Sequence, residues 1–232
     1  MAEQTILLML GVIKNVVSGD QAVRDGRQMA VKMGYMGGGS LKELSDCTVG
    51  LIGFGAIARA VADMLQGFGV TVYYTKRHRL SPEEEARYQV QYLSMDELLK
   101  TCDMLSLHVP VTGETAGMCS REFFAKCRKG SYFINTSRGE LVDDEALREA
   151  LENGTIAMAG LDTLDHEPVQ KDHPMLSWPE KTLAKLLFSP HIGGITGSSF
   201  HRGYAMIWED IEKLSRGETP GHIVNQRELD QR

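Results

Sequence analysis

The sequence predicts an α/β protein built on a doubly wound parallel sheet with helices on both faces. Three observations carry that reading. Short β-branched apolar runs alternate with capped segments of helical period, the pattern of βαβ units. A Gly-x-Gly turn joins the first of these runs to a helix at residues 53–58. Polar residues able to do chemistry stand directly after the later runs.

The elements follow in order. Ile6, Leu10, Ile13 and Val17 fall on one helical face, so residues 2–17 are expected to form an opening helix. A stretch with little periodicity, ending in Gly37-Gly38-Gly39, reads as a crossing loop. From residue 48 the pattern becomes strand 48–52, glycine turn, helix 56–65 and strand 70–74. Ser81-Pro82-Glu83-Glu84 combines an N-cap, a proline at the first helical position and a capping-box glutamate. Ser94-Met95-Asp96-Glu97 repeats the box. Further strands are expected at 104–109, 132–135, 156–161 and 186–188, with a helix at 144–153 and a last long helix at 203–216 before a polar tail. There is no internal repeat. The resulting division is a helix and crossing loop at 1–45, a dinucleotide-binding unit at 46–195 and a C-terminal helix and tail at 196–232.

Composition narrows the class. The chain has 232 residues, 42% hydrophobic and 24% charged, as in an ordinary globular protein. A disordered tail, a collagen-like fibre and a small disulfide scaffold are excluded. Thirty-one acids against 25 bases leave a net charge of −6, which argues against a nucleic-acid partner. Cys47, Cys102, Cys119 and Cys127 form no Cys-x-x-Cys pair and no histidine stands at ligand spacing, so reduced thiols and no metal are expected. The longest apolar run, residues 6–13, falls far short of the ~18 residues of a membrane span. Glu3 and Lys14 argue against a signal peptide. No membrane association and a cytoplasmic location are the expectation.

Glycine, 24 residues of 232, is in excess of the usual ~7%. Part of the excess lies in Gly53-Phe54-Gly55-Ala56-Ile57-Ala58, a G-x-G-x-x-A turn between strand and helix. Gly53 permits the tight turn, Gly55 lets a pyrophosphate approach the backbone, and the small Ala58 lets helix and strand pack closely. The helix start at Ala56 and Ile57 offers free N–H groups and a positive dipole end. In this strand–turn–helix setting it reads as the dinucleotide site of a Rossmann-type unit, the alternative being a purely structural turn. About 20 residues on, an NAD site normally places a carboxylate on the ribose hydroxyls. Here the second strand leads into Thr75-Lys76-Arg77-His78-Arg79 instead. A 2′-phosphate pairs with Lys76 and Arg77, so NADP(H) is the preferred cofactor and NAD(H) a possible one. The plainer alternative is a solvated basic loop beside Glu83-Glu84-Glu85.

In an open parallel sheet, ligands lie beyond the carboxyl ends of the strands. Strand 132–135 runs into Thr136-Ser137-Arg138-Gly139, strand 156–161 into Asp162 and then Glu167-Pro168, and strand 186–188 into Ser189-Pro190-His191. Singly, Arg138 reads as a surface ion-pair partner, Glu167 as a loop acid and His191 as a bonded loop histidine. Together, at three strand ends beside a nucleotide turn, they point to catalysis.

Four segments resemble the D-isomer-specific 2-hydroxyacid dehydrogenase family: Val49-Gly50-Leu51-Ile52-Gly53-Phe54-Gly55, Asn135-Thr136-Ser137-Arg138-Gly139-Glu140-Leu141-Val142, Gly160-Leu161-Asp162 with Glu167-Pro168, and Pro190-His191-Ile192-Gly193-Gly194. Their order and spacing match across nearly the whole chain. The resemblance implies hydride transfer between a nicotinamide cofactor and small 2-oxo or 2-hydroxy acids. It implies that Arg138 binds the substrate carboxylate and His191 acts as acid–base. Glu167 would orient that imidazole and favour its charged form. Asp162 would anchor the nicotinamide carboxamide, while Val109, Pro110 and Thr136 line the cofactor through their backbones and Gly193, beside the histidine, also contacts it. Ala58 replaces the family's usual glycine, and the usual acid after the second strand is missing.

Family members usually have a further lobe, with roughly 100 residues of chain ahead of the helix that opens this sequence. The expectation is a truncated chain holding the nucleotide lobe and two flanking helices, with strong cofactor binding and reduced turnover. The apolar face of the opening helix is then covered by self-association, as in a homodimer, or left partly exposed. A dinucleotide-binding regulatory or interaction module without catalysis is the alternative function.

Overall fold

A computed structural model describes residues 1–38 and 41–223. It separates into two compact units, Met1–Gly193 and Gly194–Arg232. The first opens with three helices, α1 (Ala2–Ile13), α2 (Val16–Arg24) and α3 (Gln28–Gly38). It continues β1 (Thr48–Ile52), α4 (Ala56–Gln66), β2 (Thr71–Thr75), α5 (Pro82–Tyr88), β3 (Val90–Tyr92), α6 (Met95–Thr101) and β4 (Met104–Leu107). Then come α7 (Arg121–Lys126), β5 (Ser131–Asn135), α8 (Asp144–Glu152), β6 (Ile156–Leu161), α9 (Glu180–Leu183) and β7 (Leu186–Phe188). Seven strands form one parallel sheet in the order β3-β2-β1-β4-β5-β6-β7. The order reverses at β1, which lies between β2 and β4, and opens a crevice beyond its carboxyl end.

Each face of the sheet carries its own core. One is built from Leu98 and Leu99 of α6, Phe123 and Phe124 of α7, and Leu147 and Leu151 of α8, packed on Leu105, Phe133 and Ala159. The other joins Leu8, Met9, Val12 and Ile13 of α1 with Val61, Ala62 and Leu65 of α4 against Leu51, Tyr74 and Ile134. Both expected capping boxes form: the hydroxyls of Ser81 and Ser94 accept from the N–H groups of Glu84 and Glu97.

The opening region departs from expectation. Its helix stops at Ile13, because Asn15 takes a left-handed conformation (φ 48°), and α2 begins at Val16. Ile6 and Ile13 are buried in the sheet's own core, whereas Val17 belongs to α2 and is exposed. The opening helix therefore needs no partner copy for most of its apolar face. Small residues let it settle there: a Cβ on Gly11 would stand 2.3 Å from the Leu187 side chain, and one on Gly160 3.0 Å from Leu8. The expected crossing loop is largely helical, and Gly39 lies outside the described residues. Val23 of α2 and Met29, Met33 and Met36 of α3 remain exposed.

In the second unit α10 (Gly197–Ser215) starts six residues earlier than expected, since Thr196 Oγ1 accepts from the N–H of Ser199 and Ser199 Oγ accepts from the N–H of Thr196. Phe200, Tyr204, Ile207, Trp208, Ile211 and Leu214 are exposed on it. Among the described residues no single helix is long and apolar enough to cross a membrane.

Candidate active site

The glycine turn stands where β1 meets α4. Gly53 has φ 91°, and a Cβ there would stand 2.4 Å from the carbonyl oxygen of His108, so a side chain is excluded twice over. Its N–H donates to the carbonyl of Thr75 at the end of β2, 2.9 Å away. Nothing lies within 4 Å of a Cβ built on Gly55, the N-cap of α4, and no side chain caps that helix. Gly55, Ala56 and Ile57 are exposed while Ala58 is fully buried. Open N–H groups at a bare helix start, with space above the second glycine, fit a pyrophosphate.

Across the crevice, β4 runs into His108-Val109-Pro110. These residues, with Ile57, Ser137 and Arg138, line a cavity of about 460 Å³. His108 bonds Ser106 Oγ through Nε2 at 3.0 Å, and burial pushes its imidazole down to about 4, so it is neutral throughout the physiological range. The basic loop follows β2, the neighbour of β1 in the sheet. Tyr74 donates from its hydroxyl to Glu85 and accepts from Leu80 N, which ties that loop down. Arg77 is exposed and reaches Glu114 Oε2 at 2.6 Å, whereas Thr75 is buried. The carboxylate missing after β2 thus has a counterpart after β4, paired with Arg77.

The catalytic candidates come from adjacent strands. Asn135, at the end of β5, shapes the next turn: its Oδ1 accepts from Ser137 N at 2.9 Å, and its amide donates to the Arg138 carbonyl at 2.7 Å. Arg138 is exposed, and the one hydrogen bond of its side chain among the described residues runs from Nη1 to the Ser137 carbonyl. The rest of its guanidinium fork is available to a planar carboxylate. Thr136 is buried and its hydroxyl meets that of Thr5, so only its backbone is placed to line a ligand.

His191 follows β7 with φ 54°, its N–H bonded to the Asp162 carbonyl at 2.8 Å. Its Nδ1 lies 2.5 Å from Glu167 Oε2, and Glu167 Oε1 accepts from Leu164 N at 3.0 Å. An ionised carboxylate can only accept, so the proton sits on Nδ1 and Nε2 is left for chemistry. Asp162 is buried. Its carboxylate accepts from Ile192 N at 3.1 Å, Gly193 N at 2.9 Å and Ser189 Oγ. In this structure it pins the loop that carries the histidine.

Two contributors were not singled out from the sequence. Gly139 lies against the loop after β6: a Cβ there would stand 1.9 Å from Leu164 C and 2.0 Å from Asp165 N. Its position after Arg138 was the available signal. Ser189 closes the bond network of Asp162, and its place two residues before His191 was the only hint. Among the described residues no cluster of His, Cys, Asp or Glu could hold a metal ion.

The sequence matches the family model of the D-isomer specific 2-hydroxyacid dehydrogenase, NAD binding domain, over residues 6–193. It is 34% identical over 231 residues to a glyoxylate reductase of Korarchaeum cryptofilum, covering 97% of this chain and 65% of that protein. Among solved structures it is similar to a glyoxylate reductase from Paecilomyes thermophila (TM-score 0.82, 29% identity, 97% of this chain and 65% of that one). It is likewise similar to D-lactate dehydrogenase with NAD+ from Lactobacillus jensenii (TM-score 0.80, 29% identity, 97% and 68%). The chain thus spans about two thirds of the length of the proteins it matches. With the parallel sheet, its glycine turn and the strand-end residues, this match shows that the chain belongs to the D-isomer specific 2-hydroxyacid dehydrogenases and carries their NAD binding domain.

Proposed function

We propose that this protein reduces small 2-oxo acids to D-2-hydroxy acids with a preference for NADPH. The observation that carries the reading is the Glu167–His191 pair, 2.5 Å apart after the carboxyl ends of strands in the same parallel sheet as those that lead into Arg138 and the glycine turn. The names of the similar reductases and dehydrogenases support the substrate class.

Gly53, Gly55 and the start of α4 would hold the cofactor's phosphates, with Val109 and Pro110 against its other side and Asp162 near the carboxamide. When bound, the reduced nicotinamide supplies the hydride. Arg138 takes the substrate carboxylate in a two-pronged grip and draws charge from the adjacent carbonyl. His191 delivers a proton from Nε2 to the carbonyl oxygen and takes one back in the oxidative direction. Glu167 holds the ring by Nδ1 and stabilises the charged imidazole between proton transfers.

Lys76 and Arg77 support the NADPH preference, since they follow β2 in the sequence where a carboxylate for the ribose hydroxyls is usual and none is present. Four free, buried cysteines fit a reducing, cytoplasmic setting. Pairing into a homodimer would cover the exposed Val23, Met29, Met33 and Met36.

The test is Arg138→Lys. Lysine keeps the charge but loses the fork, so kcat/KM for a 2-oxo acid should fall about ten- to hundredfold, the worth of a charge-assisted hydrogen bond. NADPH affinity should stay unchanged. Equal kcat/KM in the variant would sink the assignment.

A further inference from the structure

We infer that His173 is a positioning residue for the Glu167–His191 pair, an inference that rests on the catalytic reading of that pair. His173 precedes Pro174 and caps the short 3-10 turn Pro174–Ser177, where a small polar residue is the usual choice. Its Nδ1 accepts from the N–H of Met175 at 3.3 Å, so that nitrogen carries no proton. The remaining ring proton therefore sits on Nε2, which lies 2.9 Å from the carbonyl oxygen of Asp165 and donates to it. His173 is 6% exposed, and both of its ring nitrogens are satisfied by backbone.

Asp165 is the middle of the loop that presents Glu167. On one side its backbone is pressed against Gly139 at the arginine turn. On the other, Leu164 N holds Glu167 Oε1 while Oε2 receives His191 Nδ1. From residue 166 outward the loop is exposed, and His166 itself has φ 55°. His173 is the buried side chain that fixes this loop from beneath. Asparagine or serine would cap the 3-10 turn equally well but lacks a second atom at the reach of Nε2. A ring with an acceptor and a donor on opposite sides meets both demands, which explains a histidine at a capping position.

The two roles separate by substitution. In His173→Asn the amide oxygen takes the place of Nδ1, keeping the cap and losing the tether to Asp165. In His173→Gln the amide nitrogen takes the place of Nε2, keeping the tether and losing the cap. The readout is the ring 15N spectrum of His191, assigned by its loss in His191→Gln, together with the melting temperature. The wild type should show the Nδ1–H form. His173→Asn should melt like the wild type yet shift His191 toward the Nε2–H form, with kcat about tenfold lower and NADPH affinity unchanged. His173→Gln should melt lower and retain the Nδ1–H form. A His173→Asn protein with wild-type His191 shifts and kcat overturns the inference; so does a folded His173→Gln protein that has lost the Nδ1–H form. A wild-type chain that shows the Nδ1–H form but reduces no 2-oxo acid refutes the proposed reaction instead, and the spectra of the variants still decide the role of His173.

Discussion

A single methyl group at residue 139 should damage both the stability of the fold and the alignment of the site. Gly139 lies where the turn carrying Arg138 meets the loop carrying Glu167. A Cβ there would stand 1.9 Å from Leu164 C, 2.0 Å from Asp165 N and 2.1 Å from Leu164 O. Ordinary carbon contacts begin at about 3.5 Å, so the two segments must part by roughly 1.5 Å. All three atoms are backbone, and no side-chain rotation relieves the clash. Overpacking of this kind costs about 1–3 kcal/mol, and a backbone clash belongs at the upper end. At about 2–4 °C per kcal/mol for a chain of this size, Gly139→Ala should melt about 6–12 °C below the wild type. Displacing reacting groups by about 1 Å can cost ~100-fold in rate, so kcat should fall by that order. Thermal melts followed by circular dichroism and turnover followed by coenzyme oxidation check both. Gly34→Ala is the control, because nothing lies within 4 Å of its added Cβ on α3. A Gly139→Ala protein that melts within a degree of the wild type and keeps its kcat would refute the close approach and the alignment argued from it.

Two further outcomes bear on the cofactor loop and on the charge balance of the core. Glu114 competes with any phosphate for Arg77, so Glu114→Gln should tighten NADPH binding several-fold at low salt and leave NADH binding unchanged, while Arg77→Ser should weaken NADPH alone; titration calorimetry with both coenzymes reads this out. Burial pushes the carboxyl of Asp144 up to about 6, and its carboxylate has no hydrogen bond among the described residues. The unfolded chain ionises it near ~3.9, so the stability that goes with the protonated form is present below about 4 and lost as pH rises to about 6. The advantage of Asp144→Asn should therefore grow across that window and level off above it, at about 1–2 kcal/mol after solvent screening. An advantage that shrinks with rising pH would contradict the burial argument.

Residues whose chemistry is local were legible in the sequence. The glycine turn, the two capping boxes and the bursts of polar residues after 135, 161 and 188 all depend on near neighbours, and the structure puts them on one parallel sheet. Elements held by distant partners were not legible. Helices α2 and α3 contain Gly19, Gly34, Gly37 and Gly38, which lower helix propensity, and α3 buries no side chain. Strand β3 is three residues long and exists by pairing with β2 alone. The fate of the α1 stripe could not be read from its period, because that period says only that a face is covered. Gly11 and Gly160, which admit the helix to the sheet, are meaningful only once they face each other's neighbours. The same applies at the site. Arg138, Glu167 and His191 announce their chemistry by type, whereas Gly139 and Ser189 act through what they touch.

Whether His191 moves the proton in a nicotinamide-dependent reduction is decided by one comparison. The wild type and His191→Gln are assayed for loss of reduced-nicotinamide absorbance with glyoxylate and NADPH, with NADPH affinity measured on the same samples. Turnover is expected in the wild type, with a fall of at least about 100-fold in the variant, the range of a general acid's contribution, and equal affinity for NADPH. Matching turnover in the two proteins, or NADPH binding by a wild type that reduces no 2-oxo acid, would contradict that role.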